Sequence, residues 1–248
     1  MNKQDLRFLS IQFAIFLKEP VEDNILKLGN DMESLLKKAF AKHNFIGTVP
    51  PDDKDAQPQY KQLLFLQNTG IDDIDSIRLR VASRRINLAI IKNDATVNTK
   101  ELAEYSEPIS EFIISLGNCI GGFNTIEKMG SIVDYMVFTD TPVEYLNQGI
   151  LKGKFNKPVK ELKTSREFDS PRREKYSEIM RVWEASYTPV RSAEKKEKIR
   201  NLGIQKELVC PPKTTQLFRE ENILNFTQES LAFFNTQNIV EDINLYAE

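Results

Sequence analysis

The chain of 248 residues is poor in the side chains on which most enzyme chemistry is built. It has one histidine, His43, two cysteines, Cys119 and Cys210, and no glycine-rich phosphate loop. One imidazole cannot make a nitrogen-rich zinc site unless a cysteine joins it, and neither cysteine belongs to a close ligand pair, so no metal is expected. A Ser-His-Asp or Cys-His centre lacks the Gly-x-Ser-x-Gly elbow that would orient a nucleophile. His43 follows the first helical pattern, in Lys42-His43-Asn44, where a positive ring favours the negative end of a helix dipole. No window reaches the roughly 18 unbroken apolar residues of a membrane span. The apolar stretch from Phe8 to Leu17 is interrupted by Ser10 and Gln12, and no small-residue cleavage site follows. A cytoplasmic protein with free thiols and no cofactor is the expectation, and the sequon at Asn225-Phe226-Thr227 has no role there.

What is present is an ordinary soluble composition, 40% hydrophobic and 28% charged, with an uneven distribution of charge. The formal net charge is -2, yet residues 152 to 206 carry 16 basic against 8 acidic side chains. That middle block is where electrostatics could select a partner.

Periodicity gives the organisation. Leu9, Ile11, Phe13, Ile15 and Leu17 alternate as a strand with one core face, and Pro20 opens a helix over about 20 to 42 with apolar residues at helical spacing. The stretch 44 to 59 holds Pro50, Pro51, Pro58, Asp52, Asp53 and Asp55 and reads as a loop. Strands follow at 60 to 67, around Ile77, Leu79 and Val81, and at 86 to 91, the last two joined by a hairpin at Ser83, Arg84 and Arg85. Asn98 and Glu101 form a capping box for a second helix, bent by Pro108 and ended by Gly117. The order then restarts: a strand at about 126 to 139, a short helical piece at 142 to 151, strands near 159 to 168, 177 to 188 and 201 to 209, and a helix from 216 to 235 before a tail.

The expected fold is α+β: two strand-helix-three-strand-helix halves, 1–122 and 123–248, with a mostly antiparallel sheet and the helices on one face. The halves either share one sheet or pack two together. The other sheet face, carrying Phe8, Phe16, Trp183 and Tyr187, must then meet solvent, a partner subunit or a ligand.

The element order and length, with the local sequence Ile126-Glu127-Lys128-Met129-Gly130-Ser131-Ile132-Val133-Asp134-Tyr135, resemble a sporadically distributed, uncharacterised bacterial family of about this length. That resemblance implies the same succession of strands and helices and no site residues.

Three surfaces carry candidate chemistry. Arg78 and Arg80 point to one side of a strand, Arg84 and Arg85 lie at its turn, and Lys160, Lys163, Arg166, Arg172, Arg173 and Lys175 continue the charge, interleaved with Phe155, Phe168, Tyr176, Trp183 and Tyr187. Guanidinium groups and aromatic planes together suit unpaired nucleic acid. The plain alternative is a solvated strand face with Trp183 in the core. Asp134, Glu161 and Lys163 supply the residue types of a metal-dependent nuclease, provided that they converge. The acidic groups Asp52, Asp53, Asp55 and Asp72, Asp73, Asp75 lack the spacing of a calcium loop and read as solvated turns.

The expected function is non-enzymatic: an accessory or regulatory protein engaging a macromolecular partner through the exposed sheet face, a protein partner or second copy ahead of nucleic acid. The alternatives are a protein resembling the repeated ferredoxin-like CRISPR RNA endonucleases, which bind or process RNA, and the metal-dependent nuclease.

Overall fold

A computed structural model describes residues 6–21, 25–41, 45–48, 62–68, 76–92, 105–150, 163–167, 177–187, 199–209, 219–234 and 236–246. Nine strands form one antiparallel sheet: β1 (Leu6–Leu17), β2 (Phe45–Thr48), β3 (Gln62–Asn68), β4 (Ser76–Ala82), β5 (Arg85–Ile91), β6 (Ile126–Phe138), β7 (Lys163–Glu167), β8 (Ser177–Tyr187) and β9 (Ile199–Val209). Their order across the sheet is β2-β3-β4-β5-β1-β6-β9-β8-β7. In each half the first strand lies beside the last strand of its meander, β2–β5 in the first half and β7–β9 in the second, and the two first strands, β1 and β6, pair along the middle. The halves therefore share one sheet.

The alternation of β1 is broken by a bulge between Phe8 and Ser10 in its pairing with β6. The extra residue reverses which side chains face the core. Ile11, Phe13, Ile15 and Leu17 are buried as the pattern requires, but Phe8 and Leu6 take over from Leu9. Phe8, expected on the exposed face, packs instead against Tyr135 and Tyr105 with ring centroids 5.8 and 6.2 Å away.

The helices cover that core face. In α1 (Ile25–Ala39) the buried Leu28, Met32 and Leu36 recur every four residues, and in α2 (Ser106–Cys119) Ile109, Phe112, Ile113 and Leu116 do the same work. Each fully buried side chain of this kind contributes about 1.5 to 3 kcal/mol. Pro20 and Val21 precede α1 rather than start it, and Pro108 occupies the first turn of α2, where its missing N–H costs nothing. The stop signal of α2 is Gly121, at φ +82°, not Gly117: Gly122 N–H donates to Gly117 C=O at 2.8 Å, closing a Schellman turn. The Asn98–Glu101 capping box lies outside the described residues, as do His43 and both aspartate groups.

In the second half, α3 (Pro142–Glu144) runs into a π-helical turn to Ile150. It is followed by α4 (Glu220–Phe233) and α5 (Thr236–Tyr246). Two pieces depart from the sequence reading. Phe45–Thr48 is an edge strand within the expected loop, burying Phe45 and leaving Ile46 58% exposed. The expected tail is helix α5, whose Ile239, Val240 and Ile243 join the core. Ser131 Oγ donates to Ser230 Oγ at 2.9 Å and Tyr135 Oη to Phe234 C=O at 2.6 Å, which ties α4 to the centre of the sheet.

Candidate binding face of the sheet

The opposite face is read from the strand register. One row crosses the sheet as Phe65, Arg80, Asn87, Ala14, Gly130 and Val209, and the next as Gln67, Arg78, Ala89, Gln12, Ile132 and Glu207. A third runs Ser76, Ile91, Ser10, Asp134, Gln205 and Arg181. The described helices pack on the other side through the core positions named above, so none of them covers these rows.

The third row is a closed polar ladder. Ser10 Oγ donates to Asp134 Oδ2 at 2.7 Å, Gln205 Nε2 donates to Asp134 Oδ1 at 2.9 Å, and Arg181 Nη1 donates to both Gln205 Oε1 and Glu207 Oε2 at 2.9 Å. Both carboxylates are satisfied by neighbours on adjacent strands, which fixes the register across β1, β6, β9 and β8.

The β3–β1 side of the face is different. Arg78 and Arg80 are exposed, two residues apart on β4; Arg78 donates only to Ser76 Oγ, at 3.2 Å, and neither has an ion-pair partner among the described residues. Arg85 lies beside them on β5, its guanidinium carbon 5.0 Å from the centroid of Phe16, and Lys128 Nζ stands 5.5 Å from the same ring. Phe16 is thus held between two cations, an arrangement worth about 0.5 to 1 kcal/mol per contact at an exposed site. Arg84 is half-buried in the β4–β5 turn, with its Nε unpartnered. Between the arginines of β4 and the side chains of β6 the floor is low: Ala89, Ala14 and Gly130. A Cβ on Gly130 would meet only ordinary contacts, at 3.7 and 3.8 Å, so packing does not demand glycine there.

Trp183 belongs to this face, not to the core. Its indole lies over Gly203, where a Cβ would come within 2.6 Å of the ring, so the missing side chain is what seats the indole flat on the sheet. The signal was available in the alternation: Met180 and Val182 are buried, which puts Trp183 opposite them. Arg172 and Arg173 lie outside the described residues.

The nuclease constellation is not assembled by the described strands. Asp134 sits on β6 and Lys163 on β7, three strand spacings or about 14 Å across the sheet. Asp134 is engaged by Ser10 and Gln205, and Glu161 lies outside the described residues. Among the described residues no group of three His, Cys, Asp or Glu side chains is placed to hold a metal ion.

On the helix side, a cavity of about 590 Å³ is lined by Leu17, Pro20, Leu28, Asp31, Cys119 and Thr125. Burial, and then the Asp31 carboxylate, push the Cys119 thiol above its ordinary pKa, which disfavours the reactive thiolate. No described helix is long and apolar enough to cross a membrane. Compared with known proteins, the chain matches no family model and no curated sequence.

Proposed function

We propose that this protein is a non-enzymatic binding module that engages a macromolecular partner through the helix-free face of its sheet. The observation that carries the reading is the division of labour between the two faces. Every described helix seals one of them, while the other presents the partly exposed rings of Phe16 and Phe65 together with the exposed guanidinium groups of Arg78 and Arg80, which have no ion-pair partner among the described residues. A large mixed surface of this kind, several strands wide, is the setting of interaction rather than of solvation alone. The satisfied ladder through Asp134 acts as a stiff frame for it, since a binding surface gains from groups that need no reordering on contact.

The reading predicts where a partner touches. A photo-crosslinking amino acid placed at Ala89, in the middle of the face, captures a discrete adduct in living cells, and the same group at Asn225, exposed on α4, does not. Nuclease or protease sensitivity of the adduct, or a mass of twice the chain, distinguishes nucleic acid, protein and a second copy. Equal capture from both positions, or none from Ala89, contradicts the proposal.

A further inference from the structure

We infer that the ligand of this face is a single strand of nucleic acid, held with its phosphates on Arg78 and Arg80 and its bases over the low floor of Ala89, Asn87, Gln12 and Ala14. The inference rests on the reading of the face as a binding surface and names its partner.

Charge selects the class. The acidic side chains in these rows, Asp134 and Glu207, are taken up by Ser10, Gln205 and Arg181, whereas Arg78 and Arg80 have no ion-pair partner among the described residues. The complement of that half is therefore anionic. Spacing narrows it further. Side chains two apart on one strand project about 6.6 Å from each other, comparable with successive phosphates along an extended single strand, and a guanidinium binds each phosphate in a bidentate manner.

Shape separates a single strand from the other anions. The floor between β4 and β6 is formed by Ala89, Asn87 and Gln12 with the buried Ala14 between them, and Phe16, between Arg85 and Lys128, bounds it at one end, so planar groups can lie on it against an aromatic ring. Asn87 accepts from Arg85 Nε at 2.9 Å and keeps its amide N–H groups, and Gln12 makes no side-chain hydrogen bond among the described residues. Both amides stand where base edges would arrive. A duplex offers mainly its backbone to such a surface, and an acidic peptide such as polyglutamate has no aromatic rings to stack on the floor.

Purified, nuclease-treated full-length protein is titrated with labelled single-stranded RNA and DNA of mixed sequence, with duplexes of the same sequence and with polyglutamate, across a salt series. Single strands are expected to bind saturably and more tightly than duplex or polyglutamate. The Arg78→Ala, Arg80→Ala double variant should lose about a hundredfold in affinity, and its plot of log affinity against log salt should flatten by about 1.4. Its circular dichroism and melting temperature should stay unchanged, because both side chains are exposed. The Arg78→Lys, Arg80→Lys variant should keep the salt dependence and recover part of the affinity.

No single-strand binding at low salt, equal binding of duplex, tighter binding of polyglutamate, or an unaffected alanine variant would each overturn the inference. If it fails while the Ala89 crosslink still yields a protein adduct, only the choice of partner is wrong. If that crosslink is absent as well, the wider reading falls with it.

Discussion

Replacing Asp242 by alanine is expected to destabilise the protein by roughly 3 kcal/mol, the largest effect anticipated for a single side chain outside the apolar core. Lys206 projects from β9 into the core face, where it is 0% exposed, and its Nζ lies 3.5 Å from the centroid of the Phe233 ring. An ion pair with Asp242 of α5 compensates charge there. Removing the carboxylate takes that counter-charge from a fully buried ammonium group, and the cost is desolvation rather than the small net worth of the pair. Glu178, diagonal to Lys206 in the register of β8 and β9, is buried with its Oε1 lacking a hydrogen-bond partner, so a Glu178→Gln change made together with Asp242→Ala should deepen the loss. The Lys206→Met, Asp242→Leu double variant should regain most of the lost stability, because an apolar pair leaves no charge to solvate. Urea unfolding of these proteins checks this, and an Asp242→Ala variant within about 0.5 kcal/mol of wild type would contradict it.

A Gly117→Ala substitution should likewise destabilise, by about 1 to 3 kcal/mol, although alanine inside a helix ordinarily gains about 1 kcal/mol over glycine. Gly117 is buried in the last turn of α2, and a Cβ built on it would clash with the ring of Phe123. The ring follows directly on Gly121 and Gly122, whose positive φ angles return the chain towards β6, so it is not free to swing away without disturbing that turn. In a Phe123→Ala background the obstacle is gone, and Gly117→Ala should then stabilise or be neutral. The reversal of sign is the diagnostic. A rise in melting temperature for Gly117→Ala in the otherwise wild-type chain would show that the helix reaches no such close contact.

These two sites show where periodicity stops being informative. The alternation of Leu202, Ile204 and Leu208 puts Lys206 on the inward side of β9, but nothing local names a counter-charge, since Asp242 lies 36 residues away on a helix that reads as a tail in the sequence. Gly117 reads as a helix stop because glycine usually is one, but the chain places its left-handed residue two positions after the helix ends, and the earlier glycine serves a close approach instead. The strands were far more legible: β5 alternates residue by residue, and the centre of β4 does so from Ile77 to Val81, because one face is buried and the other is not. The departure in β1 comes from one extra residue at the Phe8–Ser10 bulge, which no alternation pattern records. Phe45–Thr48 was hidden by the prolines and aspartates that follow it.

The candidate face was legible in part. Arg78 and Arg80 were recognisable from the alternation of β4, and both lie on the helix-free face. Arg85 shares that face but is turned to Phe16, and Arg84 is half-buried in the β4–β5 turn. The floor was invisible, because it is assembled from β1, β5 and β6, which only the sheet order brings side by side.

The most direct measurement for the account is arginine-specific chemical footprinting of the purified protein and of the same protein in an extract of the cells that produce it, read by mass spectrometry. Arg78, Arg80 and Arg219 are all exposed, and all three should be modified in the purified protein. In the extract Arg78 and Arg80 should be protected while Arg219, at the start of α4, stays reactive. Equal modification of Arg78 and Arg80 in both samples, or protection confined to Arg219, would contradict the claim that the helix-free face is the surface this protein uses.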